Sequence, residues 1–115
     1  MNPLTPKDYF VGPTDYGIGE RQKLEKTVET DSVAWARRNG WFTRKYSSPG
    51  QKGVQDRIFV KRIRNEGMVV FIEYKKVGNV PTDLQCDDAE QLRNHGGAVF
   101  WTNTVRGTIL ILESM

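Results

Sequence analysis

Asp56, Glu73 and Lys75 are the residues of this 115-residue chain whose types and spacing could do chemistry. Two carboxylates and an ammonium brought together can hold a divalent cation and stabilise charge developing on a phosphate. The acids lie in Gly53-Val54-Gln55-Asp56-Arg57-Ile58 and, seventeen residues after Asp56, in Ile72-Glu73-Tyr74-Lys75-Lys76. Between them runs an alternating, β-branched segment broken at Arg64-Asn65-Glu66-Gly67, which reads as a four-residue hairpin loop closed by glycine. Counting outward from that loop pairs Val60 with Phe71, Ile58 with Glu73 and Asp56 with Lys75. Strand side chains alternate, so Glu73 and Lys75 share a face with Tyr74 opposite. Asp56 then becomes a diagonal neighbour of Glu73, roughly 7–8 Å away. A slip of one residue would turn it to the other face, so the reading depends on the turn.

Asp56 followed by Glu73-Tyr74-Lys75 resembles the Asp and Glu-x-Lys core of the PD-(D/E)XK nucleases. The preceding GVQD, where GVPD is usual, and the later Leu84-Gln85 make the likeness closest to the VRR-NUC family, relatives of archaeal Holliday junction resolvases. It covers about residues 25–103. The resemblance implies an α/β, restriction-endonuclease-like αβββαβ core, a mixed central sheet flanked by helices. It implies Mg²⁺ or Mn²⁺ held by Asp56, Glu73 and the backbone carbonyl of Tyr74, with Lys75 stabilising the phosphate and remaining protonated. Gln55 in place of proline touches only the stiffness of the approach to the strand.

The elements that must position these groups follow from periodicity. Residues 20–39 have a helical pattern closed by Gly40, with Leu24, Val28, Ser32 and Trp35 on one stripe that Val33 and Ala36 extend. Glu25 and Glu29 fall within that arc and need partners. Glu25 is read as a salt bridge or the wet edge of the stripe. Glu29 admits that reading too; by resemblance its distance to Gly40 gives it a site role, reaching the metal through water. Thr82 opens a second helix running to about Asn94, and Thr82-Asp83-Leu84-Gln85 fits a capping box. Gln85 also shares a stripe with Ala89 and Leu92, so its amide could face the site, as the family's glutamine does.

Trp41–Lys45 reads as a strand and residues 46–53 as a loop bordering the site. Ala98–Asn103 and Thr108–Leu112 read as two further strands around a Val-Arg-Gly turn, the first pairing beside Glu73 after the helical crossover. His95, the only histidine, suits a helix end rather than a general base. Cys86, the only cysteine, has no company for zinc or an internal disulfide and fits a reducing compartment.

Length allows one domain over 20–115, preceded by an arm over 1–19 that Tyr9, Phe10 and Tyr16 could dock on the domain or on a partner subunit. The apolar runs are far too short to span a bilayer, and no secretory leader is legible, so the cytoplasm is expected, in a phage- or mobile-element-encoded protein. Net charge is only +3, yet residues 37–76 hold eleven Lys and Arg against three acids. A basic half around an acidic core suits a polyanion held over a metal, although a solvated face has the same look. Candidate DNA-binding residues are Arg44, Lys45, Ser47, Ser48, Lys52, Arg57 and Lys76. The expected function is metal-dependent hydrolysis of DNA phosphodiesters, with four-way junctions cut by a homodimer as first choice. A nuclease or nickase on flaps, ends or plain duplex, and a DNA-binding module without cleavage, are the alternatives.

Overall fold

In the computed structural model, which describes residues 3–12, 25–46 and 56–115, a 3₁₀ turn (Pro6–Asp8) is followed by α1 (Glu25–Arg38), β1 (Phe42–Lys45), β2 (Arg57–Ile63), β3 (Glu66–Tyr74), α2 (Asp83–Asn94), β4 (Ala98–Thr102) and α3 (Val105–Glu113). The strands form one sheet in the order β1-β2-β3-β4, antiparallel except for the parallel β3–β4 pair that α2 connects. This is the αβββαβ arrangement, a mixed sheet with α1 and α3 on one face and α2 on the other.

The β2–β3 hairpin turns more tightly than the sequence suggested. Ile63 pairs with Glu66, leaving Arg64 and Asn65 as a two-residue loop with φ of 52° and 67°. Positive φ at both central residues is the type I′ geometry that matches strand twist. Neither position is glycine, which is why Gly67 looked like the closing residue; it lies instead in β3, opposite Arg62. The expected pairs Val60–Phe71, Ile58–Glu73 and Asp56–Lys75 are therefore corrected. Val60 faces Val69, Ile58 faces Phe71, and the same count places Asp56 opposite Glu73. A shift of two residues leaves every side chain on its expected face.

The segment expected as a last strand, Thr108–Leu112, belongs to helix α3. Its residues have strand propensity, but Val105, Thr108 and Leu112 also recur at helical spacing, and the Thr104 hydroxyl accepts the Gly107 N–H at 3.0 Å as N-cap. Packing decides the contest. The Thr108 hydroxyl meets Ser32 of α1 at 2.9 Å and the Tyr74 hydroxyl at 2.8 Å, all buried. A Cβ on Gly107 would overlap the Thr102 hydroxyl and come within 2.5 Å of the Val11 carbonyl, so only glycine lets α3 approach β4 so closely.

Alternation along β3 divides the core. Val70, Ile72 and Tyr74 pack with Val28, Ala36 and Ile111 under α1 and α3. Val99, Trp101, Cys86 and Ala89 form a second cluster on the α2 face, with Phe71 packed against it. Tyr9 completes that second cluster and is itself buried. Residues 9–11 run beside β4, where the Trp101 N–H donates to Tyr9 O, the Val11 N–H donates to Trp101 O, and the Trp101 indole donates to Pro6 O. Tyr9 and Phe10 thus dock on the domain itself; Tyr16 and Leu24 lie outside the described residues.

Candidate active site

The hairpin delivers its acids to one another. The Asp56 N–H donates to Glu73 Oε2 at 3.1 Å, and the Tyr74 N–H donates to Asp56 Oδ2 at 3.0 Å. Glu73 therefore spends one oxygen on the Asp56 backbone and Asp56 one on the Tyr74 backbone. Glu73 Oε1 accepts the Gln85 amide N–H and lies 3.5 Å from the Lys75 ammonium.

Burial sets the electrostatics. Glu73 is 1% exposed, and desolvation, with the adjacent Asp56 charge adding to it, pushes its carboxyl up to about 8; Lys75 only partly offsets this. Asp56 is also raised, first by burial, with the Tyr74 N–H pulling the other way and the Glu29 charge adding to the rise. Two acids held this close in a dry place carry one proton between them near neutral pH, and a cation in its stead would relieve both.

Gln85 does both things its sequence position allowed. Its Oε1 accepts the Thr82 N–H at 2.9 Å while its own N–H takes the Thr82 hydroxyl at 3.2 Å, which is the capping box. Its Nε2 at the same time donates to Glu73. The two roles separate by mutation. Thr82→Ala should cost about 1 kcal/mol of stability through the lost cap and leave hydrolysis within about twofold of wild type. Gln85→Ala should cost a similar amount of stability and also lower hydrolysis about tenfold or more, since it frees the buried carboxylate it holds. Thermal melts beside initial rates make the comparison; equal rate losses in the two variants would assign Gln85 to the helix alone.

Helix α1 gives its two glutamates different surroundings. Glu29 Oε2 accepts the Arg57 Nε–H at 2.9 Å, and Arg57 also donates to the Thr43 hydroxyl at 3.2 Å. Glu25, one turn nearer the helix start, has its carboxyl raised by burial and by the Asp56 charge and lowered by Lys75. Glu25 is exposed, as the wet edge of the stripe, and both glutamates lie within electrostatic reach of Asp56, while Glu29 also makes the salt bridge its position allowed. Sequence alone could not separate two acids four residues apart on one stripe.

Of the expected nucleic-acid contacts, Lys45 and Arg57 pair across β1 and β2 on the α1 face, while Arg44, stacked over Phe42, points to the other face. Lys76 is exposed just past β3. Ser47, Ser48 and Lys52, like Gln55, lie outside the described residues. One buried acceptor near the site was missed. Among the described residues Asn103 Oδ1 has no hydrogen-bond partner, and its residue follows Thr102, whose carbonyl receives the Lys75 N–H at 3.1 Å.

The donor set can be tested for the metal that such a site implies. Among the described residues no three His, Cys, Asp or Glu side chains gather as a metal cage. Two carboxylates beside a strand-end carbonyl nevertheless suit a magnesium-type ion, which is commonly bound through one or two acids and keeps several waters. The residues fit such an ion and would not fit zinc.

The sheet order and the hairpin-borne acids define a restriction-endonuclease-like α/β fold. A solved VRR_NUC domain has the same architecture, with a TM-score of 0.69 over 77% of this chain and 94% of that one, at 24% identity. No family model matches the sequence. At the level of sequence, "Putative nuclease p44" of Acyrthosiphon pisum secondary endosymbiont phage 1 is 32% identical over 68 residues, 59% of this chain and 70% of the relative. The chain belongs to the VRR-NUC family of nucleases.

Proposed function

We propose that the protein is a divalent-metal-dependent endonuclease that hydrolyses DNA phosphodiesters, selective for branched DNA such as four-way junctions. The observation that carries the hydrolytic reading is the pairing of two buried acids through strand-end backbone groups, the Asp56 N–H on Glu73 and the Tyr74 N–H on Asp56, with Glu73 Oε1 3.5 Å from the Lys75 ammonium. Asp56, Glu73 and the Tyr74 carbonyl would hold Mg²⁺ or Mn²⁺, with Glu25 or Glu29 reaching it through water. The bound ion supplies polarisation of the phosphate and a more acidic water. Lys75 places its ammonium where negative charge accumulates on the phosphate in the transition state. Gln85 fixes the Glu73 carboxylate so that its free edge keeps one direction. Burial of Glu73 keeps water away from that carboxylate and strengthens each of these interactions.

Metal binding has a pH signature. Because Glu73 ionises only near 8, a cation must displace its proton, and affinity rises with pH. Mg²⁺ or Mn²⁺ should raise the melting temperature by several degrees at pH 8, by less at pH 6, and not at all in Asp56→Ala. An equal shift in the variant would place the ion elsewhere.

Branched-DNA selectivity rests on the family likeness, and paired cutting of a junction requires two sites, hence a C₂ homodimer. Labelled four-way junction, flap and linear duplex, incubated with Mg²⁺, Mn²⁺ or EDTA, separate the readings. Symmetric cuts confined to the junction support the proposal, and equal cutting of duplex replaces it with a general nuclease. Metal-independent binding without cutting replaces it with a binding module.

A further inference from the structure

The structure assigns to the groove between α1 and the β1–β2 edge the phosphate backbone of the nucleic acid leading away from the scissile bond, an inference that rests on the hydrolytic reading above. The groove encloses about 380 Å³ and is lined by Lys26, Glu29, Thr30, Val33, Ala34, Arg37, Lys45 and Arg57. Four of those eight side chains are cationic and one is acidic, and Arg57 engages the acid. Among the described residues Lys26, Arg37 and Lys45 have no ion-pair partner. Lys26, Thr30, Val33 and Arg37 recur at helical spacing along one side of α1. Eleven residues at ~1.5 Å each separate Lys26 from Arg37 by roughly 16 Å, a reach matching several phosphates at ~3.4 Å of axial rise per nucleotide.

Position makes this more than a charged face. Arg57 immediately follows Asp56 and turns to the α1 face, and Glu29, which holds Arg57, lies close enough for its charge to act on Asp56, so the groove and the carboxylates adjoin at the start of β2. Glu29 and the Thr43 hydroxyl hold the Arg57 side chain toward α1, at 2.9 and 3.2 Å. Glu29 thereby acts as a positioning residue for a phosphate-binding arginine. Val33 and Ala34 leave the wall apolar and low, with no side chain to block a sugar–phosphate chain.

The test uses a fluorescent 30-base-pair duplex in EDTA, where cutting cannot interfere, and the full-length protein. Lys26→Glu with Arg37→Glu should weaken binding at least about tenfold and flatten the dependence of log affinity on log salt by roughly 2, at about 0.9 per phosphate contact. Arg62→Glu with Arg106→Glu, exposed residues away from the groove and equal in charge change, should shift binding less than about threefold. With metal restored and substrate far below saturation, the groove variant should lose cutting in proportion to its lost affinity, and the control pair should not. Unchanged affinity and salt slope, or equal weakening in the control pair, overturns the groove. Wild-type protein that binds through Lys26 and Arg37 but never cuts leaves the groove standing and removes the hydrolytic reading instead.

Discussion

Glu73→Gln is expected to lower hydrolysis at least about a thousandfold while yielding a protein that folds as well as wild type at pH 4 and better at pH 9. The rate loss follows from removing one of two carboxylates that would carry the cation. A thousandfold is about 4 kcal/mol of transition-state stabilisation, in the range of a lost Lewis acid. The stability gain follows from burial. Glu73 ionises near 8 in the fold rather than at its ordinary 4.5, so the folded state disfavours its charge. The stability this group contributes is fully present below about 4.5 and is lost as pH rises toward 8. The amide has the same shape and no charge, so the variant escapes that loss. Urea titrations of metal-free protein at the two pH values, beside initial rates in Mn²⁺, give both readings. A variant that cuts DNA at more than a tenth of the wild-type rate would remove Glu73 from the chemistry.

Lys75→Met should lower kcat by about a hundredfold to a thousandfold without abolishing the metal-induced rise in melting temperature. The ammonium lies 3.5 Å from Glu73 Oε1 and is partly exposed, so it can serve an incoming phosphate as well as the carboxylate. Loss of one preorganised donor to developing charge is worth roughly that factor. Lys75 also pulls the Glu73 carboxyl downward, so its removal should move the pH dependence of metal binding in the alkaline direction. Thermal shifts in Mn²⁺ across pH, with single-turnover rates, separate the two effects. Retention of full kcat with only the pH shift would reduce Lys75 to a counterion.

How much of this could be read from residues alone depended on period and on turn chemistry. The acids were found on one face because faces depend on parity, and the hairpin error was two residues. The register itself was hidden because Arg64 and Asn65 adopt left-handed conformations without the glycine that usually advertises a type I′ turn. Helix α3 was misread because Thr108, Ile109 and Ile111 have strand propensity, while its anchors, Ser32 and Tyr74, are distant in the chain. Gln85 was legible both as a capping residue and as an amide turned toward the acids, and one side chain makes both contacts. Glu25 and Glu29 could not be ranked, since only Arg57, on another element, decides which acid is engaged. The docking of Tyr9 beside β4 used backbone hydrogen bonds that no side-chain pattern announces.

Crystals of the wild-type protein soaked in Mn²⁺ above pH 8, with anomalous diffraction recorded, test the central claim most directly. The account predicts one anomalous peak shared by a carboxylate oxygen of Asp56 and one of Glu73, close to the Tyr74 carbonyl. Density elsewhere with nothing between those two side chains, or an Asp56 turned away from Glu73 across the sheet, would contradict it.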